Sequence, residues 1–572
     1  MGWRLDPESL ELLGGGLSPA AESVGEFHGP APEGFRVPDG AGNELAIAGD
    51  SFSGASRFSR ELANYVPAMR SADQDIAPAK RMADVRSRDL GRNDAFLQGG
   101  IDSRKDNIVG SYFMLNAKPN SARLFGKEDT TWEDEFQEEV EELFAADAES
   151  FEAYMDASGR NTLTAMVRLA VEQHTIHGEI LAAVEWLPEP GRPFATAIQM
   201  IDSDRLSTPP NMLGDASVSL GVKLNERGAP IGYFIRKAHP SEFRKPEAQK
   251  FTYVEARHKH GRRKMLHIFE QRRAAQSRGL GAMVAAIPEM KMSKQFRQIV
   301  LQNAIFNSTF AATIESDTLD PSTVFQMLGG SDATPEAVQR LLTGYMAGHY
   351  QTMGELMGGS KNLNIDGVRI PHLPPGTKLN LNGAGKGGPL GTSFEIALNR
   401  VMAAALGLSY EQFSRDYSNT NYSSARAAMS ETYKGMLSIK RAVADRFASE
   451  IYRLWMEEML NDGAITSIRR RMPSWYEGRN KEWYSACDWV GASRGQIDEL
   501  KETQAAILRL NNGISTLEIE NARLGQDWRK QLRQLKREQE WKDAYQVLQG
   551  EKNQDTLNAL SGNKNEKEVG DE

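Results

Sequence analysis

The longest run of helical periodicity lies between residues 424 and 460. There Met429, Tyr433, Met436, Val443, Phe447, Ile451 and Leu454 recur on one face. Ser424 opens the run, and Asn461, Asp462 and Gly463 close it, which predicts one continuous helix. At about 1.5 Å per residue it would span roughly 55 Å. Helices of that length belong to bundles, coiled coils or repeated assemblies. Its apolar surface exceeds what one subunit covers, so a heterologous closed ring is expected. Just upstream, Thr392 and Glu395 have capping-box spacing before an apolar run that Gly407 ends. Between these two helices, residues 409–423 are rich in Ser, Asn, Asp and Tyr, show no core pattern, and read as a polar loop.

A third helix opens at Pro288 and Glu289. Met292, Phe296, Ile299, Phe306, Phe310 and Ile314 share one face, and Lys291, Lys294, Gln295, Gln298, Gln302 and Thr309 lie opposite. From Met82 to Leu115 the chain reads as a helix followed by a short strand, with Arg86, Arg88 and Arg92 on a solvated face paired with Asp84, Asp89 and Asp94. Residues 132–152 form an acidic helix with Trp132, Phe136, Val140, Leu143 and Phe144 inward. From 194 to 270 the pattern changes to short alternating or apolar runs between turns, with a hairpin at Asn225–Gly228. Residues 335–357 read as a helix, and 367–371 and 378–382 as short strands. The whole predicts a mainly helical α+β chain.

Composition narrows the chemistry. The chain has 572 residues and a net charge of −9, which argues against coating nucleic acid by bulk attraction but not against a channel through which DNA slides. No apolar run reaches the ~18 residues of a membrane span, and the first residues lack a secretory pattern. Cys487 stands alone, so neither an intramolecular disulfide nor a cysteine metal cluster is expected, and it reads as a small buried apolar residue suited to a reducing cytoplasm. His174 and His177 lack the His-Glu-x-x-His spacing, and the acidic helix lacks calcium-loop alternation. GAGKGG at 383–388 fails the phosphate-loop pattern because Gly387 follows Lys386. No metal or cofactor is expected. The basic run at 257–263 reads either as a nucleic-acid patch or as an exposed hairpin tip. Residues 1–81 are rich in Gly, Pro, Ala and Ser and read as a flexible arm.

LGLSYEQFSRDYSNTNYSSARAAMSE, residues 406–431, resembles the signature of lambda-type phage portal proteins. The resemblance continues through RSRDLGRN at 86–93, Asn107-Ile108-Val109-Gly110, Gly178-Glu179, Ile201-Asp202-x-Asp204-Arg205-Leu206, Gly228-x-Pro230-x-Gly232-Tyr233 and His267-Ile268-Phe269. It ends in a closing block with Asn512-Gly513 and Leu524-Gly525, and covers about residues 86–548.

The resemblance implies a portal fold with wing, stem, clip and crown in a ring of twelve, acting as a structural channel and not an enzyme. Its divisions would be a wing at 82–287, a first stem helix at 288–315, a clip at 316–390 and a second stem helix at 391–407. A tunnel loop at 408–423, a long wing helix with a Trp-rich segment at 424–490, crown helices at 491–550 and a disordered tail at 551–572 would follow. In such proteins the tunnel loop touches sliding DNA, which points to Tyr410, Arg415, Asp416, Tyr417, Asn419, Asn421 and Tyr422. Lys291, Lys294, Gln298 and Gln302 would line the stem. Implied partners are other copies of the chain, double-stranded DNA without sequence specificity, terminase, major capsid or scaffold proteins and a head–tail adaptor. The implied location is the portal vertex of the virion, with assembly in the host cytoplasm. A DNA-processing enzyme would need clustered metal ligands or a phosphate loop. A helical scaffold without a channel is the other alternative.

Overall fold

In a computed structural model of the chain, the described residues are Leu62, 64–309, 392–467 except 419, and 472–544 except 494, 496 and 497. Short stretches at 36–38, 44–46, 363–365 and 368–370, and scattered helical residues between 340 and 351, are also described. Residues 1–71 form one compact unit and 72–572 another. In the first, Arg36–Pro38 pairs antiparallel with Glu44–Ala46.

The second unit opens with the helix Ala72–Asn93, ten residues before the expected start of the wing at 82, and Ile76 and Lys80 are already buried. Asp94 then caps Ala95–Ile108, accepting from the amides of Phe96 and Leu97 at 3.0 and 3.3 Å. Asp94 also pairs with Arg297. It therefore locks a helix junction and is not part of the solvated Arg–Asp face expected from sequence. Arg88 pairs instead with Asp202 and Asp204, and Asp84 with Lys80. The strand Met114–Ala117 follows and pairs with Cys487–Val490 from far along the chain.

The helix Leu163–His177 is capped by Thr162 and ended by left-handed Gly178. The strand Glu179–Trp186 starts there and is the centre of a three-stranded antiparallel sheet, between Met265–Phe269 and Thr196–Ile201. The first five residues of this central strand are buried. A four-stranded antiparallel sheet runs in the order Val218–Ser219, Val222–Leu224, Pro230–Arg236, Phe251–Glu255. The expected turn at Asn225 is present: its side chain accepts from the amides of Arg227 and Ala229.

The long helix is continuous from Tyr422 to Asp462 but has two characters, joined by a π-helical turn at Lys440–Asp445. Beyond the turn, Phe447, Ile451, Tyr452, Trp455 and Met456 sit in the core against Phe144. Before it, Met436 is buried while Met429 and Tyr433 are half-buried. The apolar surface beyond the turn is therefore covered within the subunit, while the half before it keeps Leu437 exposed. The acidic helix, Thr130–Ala148, buries Phe136, Val140 and Phe144 as expected. Its outer carboxylates Asp134, Glu138 and Glu142 meet Arg529 and Arg533 of the helix Trp528–Ala544.

The strand expected at 367–371 is found as Val368–Ile370, paired with Leu363–Ile365. The strand expected at 378–382, the GAGKGG turn and most of the 335–357 helix lie outside the described residues. No helix among the described residues is long and apolar enough to cross a membrane.

Candidate nucleic-acid interface

The segment between the helices Thr392–Leu406 and Tyr422–Ile439 is not all loop. Gly407 ends the first helix with φ 69°. Ser409 then caps a short helix, Tyr410–Ser414, with a reciprocal bond from Gln412. Phe413 of this helix is buried and stacks near Phe96, ring centroids 6.1 Å apart. A Cβ on Gly100 would lie 2.6 Å from Leu406 and 3.1 Å from Phe413. The absence of a side chain at Gly100 thus lets the helix Ala95–Ile108 seat this hinge. Sequence reading missed Phe413 because one aromatic in a polar run has no periodicity to mark it.

Past Phe413 the chain turns outward. Arg415 is left-handed, with φ 56°. Asp416 accepts from the amide and hydroxyl of Ser418 at 3.0 and 2.5 Å. Those bonds hold its carboxyl below the usual carboxylate range. Arg415, Asp416, Tyr417 and Ser418 are exposed. Asn421 closes the segment by accepting from the Ser424 amide at 2.8 Å, capping the long helix.

The structure thus divides the candidate residues. Arg415, Asp416 and Tyr417 form an exposed tip. Tyr410 is half-buried at its base, with the Arg400 guanidinium 5.7 Å from its ring centroid. The side-chain oxygen of Asn421 is committed to the helix cap, and Asn419 and the Tyr422 side chain lie outside what is described. The tip carries one positive and one negative charge, so it offers no strong attraction to phosphate and no patterned donors for base edges.

The helix Ile287–Thr309 supplies the second candidate surface. Met290 and Ser293 are buried, and Phe296 meets Phe394 of the Thr392–Leu406 helix edge-on, centroids 5.2 Å apart. Arg297 sits between Asp94 and the Phe96 ring. Lys291, Gln298 and Gln302 are exposed along one stripe, seven and four residues apart. Lys294 departs from it: its ammonium donates to the Asn93 carbonyl at 3.2 Å. The expected apolar face is only partly right. Phe296 packs inward, but Met292 and Ile299 are exposed, as are Val300 and Leu301. Exposed apolar residues therefore flank the polar stripe, with Met292 and Ile299 to one side and Leu301 to the other. Phe306 of the same face has no described side chain, and Phe310 and Ile314 lie outside the described residues.

His174 and His177 have other partners than each other. His174 is buried, and burial together with the charges of Arg104 and Arg272 pulls its pKa down to about 4. His177 lies 3.5 Å from Asp84 beneath Lys80. Asp202, Asp204 and His239 converge closely enough to suggest an ion. The Arg88 guanidinium already pairs with both of those carboxylates. Cys487 is half-buried beside Ser449, and burial raises its thiol to about 11.

The relatives of this chain are portal proteins. A family described as phage portal protein, lambda family, matches residues 58–440. The chain is 33% identical over 506 residues to the portal protein of Escherichia phage N15, covering 88% of this chain and 92% of that one. It is 32% identical over 506 residues to portal protein B of Escherichia phage lambda, covering 88% and 91%. The chain therefore belongs to the lambda family of phage portal proteins, a structural family. Among solved structures it is similar to a chain in the neck of an empty gene transfer agent particle computed with C6 symmetry. That match has a TM-score of 0.37 at 13% identity, covering 77% of this chain and 93% of that one. A chain in the neck of the native particle computed with C12 symmetry gives 0.31 at 14% identity, covering 69% and 88%.

Proposed function

We propose that this portal subunit closes into a ring, with twelve copies in the virion, whose bore carries double-stranded DNA during packaging and ejection. The observation that carries the reading is the helix Ile287–Thr309, whose polar stripe of Lys291, Gln298 and Gln302 is flanked by exposed apolar positions. A helix free in solution gains nothing from exposed Ile and Leu flanking Gln. In a ring, neighbouring copies cover the flanks and leave the stripe facing the bore. The tip at Arg415–Ser418 joins that wall as a near-neutral contact against which a duplex slides. The protein is a structural channel and not an enzyme. Terminase drives the DNA, and capsid or scaffold proteins and a head–tail adaptor dock on the outside. The ring assembles in the host cytoplasm and resides at one vertex of the capsid.

The test is direct. Ile299→Asp combined with Leu301→Asp should leave a folded subunit and abolish rings in negative-stain images and native mass measurement. Lys291→Gln should leave rings intact and increase DNA loss from filled heads at low salt, with the difference from wild type shrinking as salt rises. Rings that survive both aspartates would remove the helix from the subunit interface. A scaffold without a channel would give assemblies with no central hole.

A further inference from the structure

The basic run at 257–263 is a hairpin tip, as one of its two sequence readings anticipated: Arg257 and Arg263 face each other across it, and Gly261 turns it with φ 96°. The tip does not project freely into solvent. It leans on the long helix and encloses with it a cavity of about 120 Å³. Around that cavity stand five cationic side chains, Arg257, Arg262, Arg263, Arg453 and Lys481, against two carboxylates, Glu450 and Glu457. In a chain of net charge −9 this is a pronounced local excess.

The two carboxylates are already committed. Glu457 takes Arg262 at 2.8 Å and the Tyr476 hydroxyl at 2.9 Å, and Glu450 takes Arg263 at 2.9 Å. Among the described residues, Arg257 reaches only the Gly261 carbonyl, at 3.1 Å, and Arg453 only the Ser485 hydroxyl, at 3.4 Å. Among the described residues no carboxylate pairs with Arg257, Arg453 or Lys481. Partial desolvation, with the neighbouring charges of Arg263 and Arg453 and against the pull of Glu450, holds the Arg257 guanidinium below its ordinary value. Arg257 and Lys481 are exposed at the rim, so the cavity is open to solvent.

We propose that this cavity binds a compact oxyanion of the phosphate class, held between Arg257, Arg453 and Lys481. Guanidinium forks match tetrahedral oxyanions bidentately, and an ammonium adds a point charge. A cavity of this volume admits one such anion with a few waters, at roughly 30 Å³ per water. The same chemistry has two sources: a free phosphate, or a phosphate of DNA brought to this hairpin.

The experiment titrates the full-length protein with inorganic phosphate, and separately with sodium acetate, at ionic strength matched with chloride. Binding is followed by calorimetry and by the thermal midpoint. Phosphate should bind saturably and raise the midpoint more than acetate does, because acetate offers one planar carboxylate to three cations. Arg257→Gln with Lys481→Gln, both at the exposed rim, should weaken phosphate binding at least tenfold while the far-ultraviolet dichroism stays unchanged. Arg453→Gln alone supplies an independent variant if the pair misfolds. A short DNA duplex that displaces phosphate from wild type, and loses that ability with the rim variants, would assign the DNA source. Phosphate binding without such displacement would assign the free anion. Phosphate that protects no better than acetate, or protects the variants as well as wild type, would overturn the proposal, the latter by reducing its effect to general salting-out.

Discussion

Two regions of this subunit handle polar chemistry in opposite ways. Around Glu179 the chain buries a dense ionic knot and satisfies it. The Glu179 carboxylate receives Arg278, with contacts of 2.5–2.9 Å, the Gly279 amide at 3.0 Å, His267 at 3.1 Å and Ser203. Lys80 lies 3.4 Å away, shared with Asp84. Arg278 also donates to the carbonyls of Leu206, Leu220 and Ser203. At the tip Arg415–Ser418, by contrast, Asp416 accepts from its near neighbour Ser418 and the four residues are left in solvent. The first region ties together helix, sheet and the 278–281 crossing. The second is open to solvent.

The knot should give the largest response to mutation. Burial alone would raise the Glu179 carboxyl, but the charges of Arg278 and Lys80 and the bond from His267 reverse this and hold it well below its ordinary range. Glu179→Ala would leave those cations buried without an anion, a loss of about 3–5 kcal/mol. The urea midpoint of the isolated subunit should fall accordingly, or the variant should fail to accumulate in soluble form. A change under about 1 kcal/mol would mean that water repairs the site and that the knot does not govern the fold. Phe413→Ala should approach the same size, about 3 kcal/mol, from a cavity beneath the short helix. Its destabilisation should be local, seen as faster amide exchange over 409–421 before any change near Glu179.

Acid should separate the two regions by pH. His174 is buried neutral, with its pKa lowered from 6.5 to about 4. Its folded value lies below its unfolded one, so its contribution is complete above 6.5 and disappears as pH falls from 6.5 through 4. The loss is on the order of 3 kcal/mol. Buried His267 is shifted in the same direction by burial, against the pull of Glu179. Glu179, a depressed carboxylate, contributes above 4.5 and loses its contribution only as pH falls through its lower folded value. Stability of the subunit should therefore decline first between 6.5 and 4, and His174→Gln should flatten part of that slope. An unchanged slope would place the proton uptake elsewhere. Asp416, fully exposed, is depressed only by the two bonds from Ser418. The tip should keep its local conformation across this window.

The contrast also explains what was legible in the sequence. The long helix, the helix Ile287–Thr309 and the hairpin at Asn225 carried strong periodicity or turn chemistry, and each was found. Gly178-Glu179 was visible as a strand start, but not its reason. A Cβ on Gly178 would lie 2.2 Å from the Leu280 backbone, and one on Gly279 would lie 2.1 Å from the Gly178 carbonyl. Two chain segments cross there almost backbone to backbone, which brings Arg278 onto Glu179. No local pattern connects residues 99 positions apart. The same limit applies to Asp94, read as a surface acid and found capping one helix while holding another. It applies again to Lys294, placed on the polar face by periodicity and drawn by the end of the Ala72–Asn93 helix onto the Asn93 carbonyl.

The smallest expected effect on stability lies at the tip, where the functional effect should be most specific. Tyr417 is half exposed, and no aromatic or cationic partner is found for it among the described residues. Tyr417→Ser should alter subunit stability by less than about 0.5 kcal/mol, as surface substitutions do. Ring formation should not change, because Phe413 and Asn421 hold the base of the segment and neither is touched. If the tip meets DNA in the bore, the variant should package at the wild-type rate or faster and lose DNA sooner from filled heads, since an aromatic ring gives contact without reading sequence. Arg415→Gln should have the same direction with a steeper salt dependence, because only the arginine contact involves counterion release. A stability loss above 1 kcal/mol with unaltered DNA retention would reverse the comparison, making the tip another internally satisfied part of the fold.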